Sequence, residues 1–282
     1  MADRGGRTRV VHRSHIGPLV IQRAFYPESA ARPPDTLPAP MTSTAGAIPM
    51  SEPCHLYLIH PPGGLASGDT VELNAVIDTG AHALLTTPAA GKFYRRGSAG
   101  MARLNQHFQV TGGTLEWLPQ ENIFYPDAAA ELSSVIRLCG ESRFVGWEIG
   151  CFGRPASDLT LGSGEIRQRL ELWLDEKPLL LERLSIGAAS LSARWGLQNH
   201  SSMGTWIGFP AGPSQLSAAR AVVAVASCAG VGVACTLVDN VLICRALASR
   251  ADHLKRTFVA LWCALRPEFT GRQAVAPRVW AT

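Results

Sequence analysis

Short apolar segments separated by turn residues make up the first two thirds of the chain. Between Gly17 and Leu191 the runs are HLYLI, TVELNAVI, ALLTT, LNQHFQV, TLEWLP, SVIRLC, FVGWEI, IRQRLELWL and LLLERLSI. Many are rich in β-branched residues, helical periodicity is absent, and they recur roughly every dozen residues. The pattern predicts a layered, mainly β body rich in antiparallel pairs, and a closed barrel, a sandwich and a spiral all remain compatible with it.

Glycine and aspartate mark the turns between several of these segments. Asp78-Thr79-Gly80, Thr111-Gly112-Gly113 and Asp175-Glu176-Lys177-Pro178 each stand between two apolar runs. Such short connections are typical of β-hairpins, so each is predicted to join two neighbouring antiparallel strands.

The last third of the chain has a different pattern. A helix is predicted over Ser214–Cys228, followed by a hairpin that turns at Asp239-Asn240. A second helix is predicted over Asp252–Leu265, where leucine and phenylalanine recur on one face, and Pro267 is expected to end it. Residues 205–282 are therefore predicted to form an α+β portion with two helices.

One segment has the composition of a loop. Ala30 to Pro53 is rich in Pro, Ala, Ser and Thr and has almost no large apolar residue. Such a stretch cannot bury enough apolar surface to offset the entropy of ordering. We therefore predict a flexible surface insertion over residues 30–53.

Composition and charge narrow the class of protein. Only 17% of the 282 residues are charged, against about 25% in typical domains. Either the core is large or apolar surface is kept for partner proteins. The net charge of +4 comes from scattered residues, which gives little support to nucleic-acid binding.

The polar N-terminus is unlike a signal peptide, and Ala221–Val238 divides into a helix and a strand, so a cytoplasmic protein without a membrane span is expected.

The seven cysteines do not indicate a disulfide framework or a metal site. Their number is odd, their spacing is irregular, and neither C-x-x-C nor H-E-x-x-H occurs. Cys228, Cys235 and Cys244 stand in apolar surroundings and are predicted to be small core residues.

A glycine-rich stretch imitates a phosphate loop but fails its chemistry. Gly63 to Thr70 has the P-loop spacing, with Asp69 in place of the lysine that neutralises phosphates. A strand-like segment follows instead of the helix that such a loop needs. The sequence therefore excludes a nucleotide site here.

Catalytic motifs are absent as well. No G-x-S-x-G elbow occurs. A hydrolase with a carboxylate pair stays open as an alternative, because β-rich folds can host such pairs. The carboxylates available for it are Asp69, Glu121, Glu148 and Glu182. His60 is better explained as a strand-end residue than as a base, and Lys92 could bind an anion or lie in a solvated basic turn.

Seven ordered blocks together resemble one family, the urease accessory protein UreD (also called UreH). They are GPLVIQRAFYPE (17–28), CHLYLIHPPGG (54–64), TTPAAGKFYRR (86–96), LEWLPQENIFYPDA (115–128), CFGRP (151–155), LLLERL (179–184) and LRPEFTGRQAVAPRVWAT (265–282). The blocks span the chain, so the resemblance implies one UreD-like domain over 1–282 with a layered, spiral-like β fold and two late helices. It also implies a scaffold without catalysis of its own.

The resemblance further implies partners and a cargo. Members of this family bind apo-urease and a UreF-like protein, which recruits a UreG-like nickel-carrying GTPase. No tightly bound cofactor is expected; nickel would pass through in transit to the urease active site. A passive platform that only reshapes urease is an open alternative.

By block position, three carboxylates become candidates for the nickel path: Asp69, Glu148 and Glu182. Carboxylates bind nickel more weakly than imidazole or thiolate, which suits transit. Asp69 could instead anchor its own turn, and Glu182 could pair with Arg183 or Arg169. The other candidates from the matching blocks are His60, Gly63, Gly64, Thr86, Thr87, Lys92, Tyr94, Arg95 and Glu121.

Overall fold

The computed structural model describes residues 1–28, 51–228 and 230–281, except for the side chain of Cys228. The insertion predicted over 30–53 falls outside these ranges apart from its last three residues. None of the helices in the described part is long and apolar enough to span a membrane.

Strands form most of the molecule. In chain order they are β1 (Ala2–Asp3), β2 (Thr8–Arg9), β3 (Val20–Ile21), β4 (Cys54–Ile59), β5 (Thr70–Ile77), β6 (His82–Thr86), β7 (Gly91–Phe93), β8 (Ala102–Thr111), β9 (Thr114–Trp117), β10 (Asn122–Phe124), β11 (Ala129–Cys139), β12 (Arg143–Phe152), β13 (Glu165–Leu174), β14 (Lys177–Ile186), β15 (Ser202–Phe209), β16 (Gly232–Val238) and β17 (Val241–Ala248). A five-stranded sheet has the order β14-β13-β11-β8-β5. A ten-stranded sheet has the order β16-β17-β15-β12-β9-β6-β4-β3, with β7 and β10 attached through β12, and β1 and β2 form a separate ribbon.

The chain coils between the two sheets. It passes from β4 in the ten-stranded sheet to β5 in the five-stranded sheet and back to β6, and later turns repeat this path. Successive turns stack on one another, so the described pairs from β4 to β13 are parallel. The predicted mainly β, layered, spiral-like architecture is confirmed, but its coiled part is parallel, where antiparallel pairs were expected.

Two of the predicted hairpins are corners of this coil. The chain crosses from one sheet to the other at Asp78–Gly80 and again at Thr111–Gly113. The corners stack: Gly80 N–H donates to Gly112 O at 2.9 Å. A Cβ on Gly113 would lie 2.7 Å from Asp78 O, so this position accepts only glycine without a shift of the backbone. The prediction was wrong here because a tight corner and a hairpin use the same turn residues.

The other two hairpins are confirmed. β13 and β14 pair antiparallel around Asp175 and Glu176, whose φ angles of 45° and 63° are left-handed. β16 and β17 pair antiparallel around Asp239-Asn240.

Three helices are present in the described part: α1 (Ala188–Ser192), α2 (Pro213–Cys228) and α3 (Ala251–Thr270). α2 and α3 confirm the two predicted helices, whereas the short α1 was not predicted. α3 continues past Pro267, so the predicted stop was wrong. The proline lies in the last turn, where it removes a single backbone bond. Gly271 ends the helix instead, with φ 69° and its N–H donating to Pro267 O at 2.8 Å.

A buried ionic network ties α3 to the ten-stranded sheet. Arg266 on α3 donates to Glu116 on β9 at 2.8 Å and to Glu28 at 2.6 Å. His82 on β6 lies 2.6 Å from Glu116, and His55 on β4 lies 2.9 Å from Glu28. The side chains of Arg266, Glu116, His55 and His82 are fully buried. Each charge is therefore paired where water cannot reach it.

The network shifts the pKa values of its members. Burial alone would raise the pKa of Glu116, but the Arg266 charge and the His82 hydrogen bond outweigh it, so the pKa is lowered. For His82, burial outweighs the Glu116 carboxylate, and its pKa is lowered too. Glu116 is thus held as a carboxylate and His82 as neutral imidazole.

Acid should weaken the fold through His82. The pKa of His82 in the folded protein lies below that of an unfolded histidine, which is about 6.5. The contribution of His82 to stability is therefore fully present above about pH 6.5 and is lost as the pH falls towards the folded pKa. We expect the free energy of unfolding to drop between about pH 7 and pH 5. In His82→Gln, whose side-chain N–H can still reach Glu116, the drop should be shallower. Urea unfolding of both proteins across this range tests this; parallel curves would contradict it.

Candidate functional site

A row of polar side chains crosses the space between the two sheets. We call it the polar layer; it consists of Gln106, Ser134, Gln168 and Glu182 on the five-stranded sheet and Glu148, Thr205 and Arg245 on the ten-stranded sheet. The strand registers bring the members on each sheet to one level, except Gln168, which is opposite Leu132. On the ten-stranded sheet Glu148 is opposite Thr205, which is opposite Arg245. On the five-stranded sheet Ser134 is opposite Gln106.

Separate apolar clusters pack on the two sides of this layer. One includes Phe108, Ile136 and Ile207, and the other includes Phe93 and Phe152. A polar layer between apolar cores needs internal hydrogen-bond partners, since unsatisfied buried polar groups are costly.

Glu148 is the centre of the layer. Its carboxyl group is hydrogen-bonded to the Ser134 hydroxyl and accepts a hydrogen bond from the Gln168 amide, both on the facing sheet. Burial raises the pKa of Glu148, the hydrogen bonds from Ser134 and Gln168 oppose this, and the Glu182 charge raises it further; the net shift is upward. Ser134 also bonds Gln106 Oε1 at 2.9 Å. Because a hydroxyl has one proton, a protonated Glu148 that donates to Ser134 satisfies all three groups.

A cavity of about 180 Å³ reaches Glu148 from the surface. Strands of both sheets line it, and Ala89, which is exposed, borders its mouth. Gln106, Ser134 and Glu148 form part of the inner wall, among apolar residues such as Leu104 and Leu132. Among the described lining residues Glu148 is the one carboxylate, so the cavity leads from solvent to a single acidic group.

Five of the residues taken from the matching blocks line this cavity: His60, Gly63, Gly64, Thr87 and Lys92. His60 follows directly after β4, as expected of a strand-end residue. Gly63 has φ 77° and donates its N–H to His60 O at 2.9 Å. A Cβ on Gly64 would lie 2.6 Å from the Tyr94 ring, so glycine lets β7 pack close to this turn. The HPPGG turn and the GKF strand therefore build the wall together.

The remaining block residues lie outside the lining. Thr86 is buried; its hydroxyl donates to Leu118 O at 2.6 Å and accepts from Trp280 Nε1 at 2.9 Å. Glu121 O accepts the Gly91 N–H at 2.9 Å. Tyr94 and Arg95 are exposed, and the Tyr94 ring packs edge-on against Tyr125 at 5.2 Å. These residues support the wall from behind or lie on the surface beside it.

Trp280 also shields a lysine beside this wall. The Lys255 amine on α3 lies 4.8 Å from the centre of the Trp147 ring and 4.3 Å from that of Trp280, and it donates to Pro119 O at 3.0 Å. Burial lowers the pKa of Lys255 to about 7, against the opposing charge of Glu121. The contacts fasten the C-terminal residues to α3 and β12.

Asp69 does not reach the cavity. It is exposed, and its carboxylate accepts the Ala66 N–H at 2.7 Å, three residues back along its own turn. This geometry favours the turn-anchoring alternative over a place on the path.

Glu182 is paired across the sheets. Its side chain is 11% exposed and accepts a bond from Arg245 Nε at 2.9 Å. Arg169 and Arg183, the partners suggested from sequence, pair with Glu171 instead. The physical reason is the strand period of two: Glu182 and its neighbour Arg183 point to opposite faces of β14.

Nothing in the described residues forms a closed metal site, since no three His, Cys, Asp or Glu side chains converge. A cation entering the cavity would therefore meet Glu148 as a single carboxylate ligand. A hydrolase of the alternative kind needs a second carboxylate beside the first. Among the described lining residues there is none, and Glu182 is already neutralised by Arg245.

Five members of the polar layer were not predicted from the sequence: Gln106, Ser134, Gln168, Thr205 and Arg245. A signal for one of them exists in the run LNQHFQV, where Gln106 shares a strand face with buried Phe108 and Val110. A polar residue at an inward position of a strand indicates a buried polar contact, but not its partner on another sheet.

The fold and the cavity define a class of protein: a coiled β scaffold with a cavity that reaches one carboxylate and with its two long helices packed on the ten-stranded sheet. The profile of the UreD urease accessory protein family matches residues 1–281, and the chain belongs to that family. Similar proteins include the urease accessory protein UreD of Enterobacter sp. (strain 638), 40% identical over 95% of this chain and 88% of that protein. The UreD proteins of Pseudomonas putida (strain W619) and Klebsiella aerogenes are 40% and 36% identical, each over 99% of this chain, and 90% and 93% of their own lengths are covered.

Membership of this family confirms the resemblance found in the sequence. The relatives are named as accessory proteins of urease, so the prediction of a maturation factor without its own catalysis is confirmed.

Proposed function

We propose that this chain is the scaffold of a urease maturation complex and that nickel crosses it through the cavity and the polar layer. It would act in the cytoplasm, binding apo-urease and a UreF-like protein, which brings the UreG-like GTPase that releases the metal. The observation that carries the proposal is the cavity leading from solvent to Glu148.

The chemistry of the wall suits a moving cation. Nickel is held tightly by imidazole and thiolate clusters, whereas one carboxylate with amide and hydroxyl oxygens binds it weakly and exchanges it readily. Glu148, Gln106 and Ser134 supply oxygens of this kind. These oxygens attract a divalent ion without trapping it, whereas Lys92, which also lines the cavity, opposes the attraction and His60 adds only a single imidazole.

Protons provide a second element of the mechanism. Because the pKa of Glu148 is raised, the carboxyl group of an empty path binds a proton more strongly than a carboxyl group in water does. An arriving divalent cation stabilises the carboxylate and displaces the proton. Entry of nickel is thus coupled to proton release, and the departing nickel is replaced by a proton, which keeps a charge from being left unpaired between the sheets.

The ion pair of Glu182 with Arg245 lies at the other end of the polar layer from the cavity mouth. While closed, the arginine repels a cation and occupies the carboxylate. Passage to a partner protein at this end requires the pair to separate, which a docked partner can favour by offering Arg245 a carboxylate of its own. The Arg245 side chain is about half exposed to solvent, so separating the ion pair costs little free energy.

The test of the scaffold role is assembly. We expect this chain, co-expressed with a UreF-like protein and the urease subunits, to co-purify with both and to elute in size exclusion at the mass of the complex. As a control, the same subunits without this chain should fail to hold the UreF-like protein. A well-behaved monomer that captures neither partner would contradict the proposal.

A further inference from the structure

Two cysteines meet on the outermost hairpin of the ten-stranded sheet. Cys235 on β16 and Cys244 on β17 are directly opposite in the strand register. Their sulfur atoms are 2.7 Å apart. A disulfide bond is about 2.05 Å long. The backbone therefore already holds both residues in a position from which a bond needs only a small movement.

The two thiols differ in access and in charge state. Cys244 is fully buried, and Cys235 is partly exposed on the edge strand. The pKa of Cys235 is lowered, chiefly by its hydrogen bond with Cys244 and further by the charge of Arg220 on α2, against the effect of burial. The same hydrogen bond, together with burial, raises the pKa of Cys244. Cys235 is thus the thiol that is easier to ionise and to reach from solvent, and Cys244 is the buried thiol in contact with it.

No other two cysteines with described side chains are in contact. Cys54 and Cys151 are buried separately, and burial raises the pKa of each thiol. Cys139 and Cys263 are free and exposed. The sequence prediction of small core residues holds for Cys244, but it missed that the hairpin register pairs it with Cys235.

We infer that Cys235 and Cys244 are a reversible redox site, which a hydroperoxide oxidises to an intramolecular disulfide and a dithiol reductant restores. The Cys235 thiolate attacks a peroxide oxygen, the O–O bond breaks, and water leaves after proton transfer, giving a sulfenic acid on Cys235. The Cys244 sulfur then attacks the Cys235 sulfur, the S–O bond breaks, and a second water leaves. In total two thiols and one hydrogen peroxide give one disulfide and two waters, so the thiols lose two electrons and two protons.

Such a bond would act on the edge of the sheet. β16 is the outermost strand and is held by β17 on one side only. The crosslink would fasten it there and slow the opening of the hairpin, next to Arg245 of the polar layer. The site does not depend on the nickel path and is tested on the isolated protein.

The experiment is peroxide treatment of the full-length reduced protein, followed by alkylation under denaturing conditions and peptide mass spectrometry. Trypsin leaves both cysteines, with Cys228, in one peptide of residues 221–245, and cleavage before Asp239 then separates Cys235 from Cys244. We expect the two halves to stay joined, lighter by two hydrogen atoms than the reduced pair, with Cys228 alkylated. Treatment with a dithiol reductant before alkylation should abolish the link.

Cys139 and Cys263 serve as internal controls, because they are exposed free thiols that are not in contact with a second described cysteine. Proximity speeds the second step, in which Cys244 attacks the Cys235 sulfenic acid, so the oxidised pair should contain at least about tenfold more disulfide than sulfenic acid. The oxidised control thiols should contain sulfenic acid and no intramolecular disulfide. Cys244→Ser should leave Cys235 able to form only the sulfenic acid or its adducts. The inference is overturned if both cysteines of the pair remain alkylatable at peroxide levels that oxidise the controls, or if Cys228 takes the place of either one in the link.

Discussion

Replacing Arg266 by methionine is expected to lower the free energy of unfolding by about 3–5 kcal/mol, because it leaves buried carboxylates without their positive partner. Arg266 is fully buried and contacts both Glu116 and Glu28. Methionine fills much of the same volume but cannot pair with either acid. A loss of this size is a large part of the stability of an ordinary domain, so the variant should accumulate poorly as folded protein. Urea unfolding, monitored by tryptophan fluorescence, measures the change.

A matched control lies on the same helix. Arg256→Met removes an arginine whose side chain is 70% exposed and pairs with Asp252 one turn away, and exposed pairs of this kind contribute little. Adding Glu116→Gln to Arg266→Met should recover part of the loss, since it removes one unpaired buried charge. Equal unfolding midpoints for Arg266→Met and Arg256→Met would show that the network does not stabilise the fold.

Replacing Glu148 by glutamine is expected to lower urease activation several-fold while the protein stays folded. Glutamine is isosteric with the protonated carboxyl group and can keep the bonds to Ser134 and Gln168, but it cannot become an anion when nickel arrives. Urease activity after maturation by each variant is the measurement.

The Glu148→Gln substitution should lower activation without lowering the stability of the protein. The folded pKa of Glu148 is raised, so its contribution is present below the unfolded pKa and is lost as the pH rises through the folded value. At neutral pH the glutamine variant avoids this loss and should be at least as stable as the parent. Glu131→Gln is the matched control: it changes a carboxylate on β11 whose side chain is 44% exposed, and activation should be unaffected. Full activation by Glu148→Gln would remove Glu148 from the path.

The individual strands and helices could be predicted from local sequence patterns, but the route of the chain between the two sheets could not. The segments TVELNAVI and VLICRAL became strands, and Ser214–Cys228 became a helix, because their periodicity and caps are local properties. Whether Thr111-Gly112-Gly113 turns the chain back onto its neighbour or across to a second sheet depends on which strand lies beyond. Glycine satisfies the backbone in both cases, so the parallel coil could not be distinguished from a series of hairpins.

The site was predictable to the same extent. The HPPGG turn could be singled out because it lies in a matching block, and Glu148 because it stands three residues before the matching block CFGRP. The bonds from Ser134 and Gln168 to Glu148 join strands of different sheets, and only the coil brings those strands together. Asp69 shows the converse: its partner Ala66 is three residues away, so its role as a turn anchor was accessible from sequence.

The passage of nickel past Glu148 is tested most directly by the nickel content of urease itself. Urease would be matured in complexes that contain either the parent chain, Glu148→Gln or Glu131→Gln, at equal amounts of assembled complex confirmed by size exclusion. Nickel per urease active site, counted by atomic emission, should then fall several-fold with Glu148→Gln alone. Equal nickel content in all three ureases would contradict a path through the polar layer and leave the chain a passive platform.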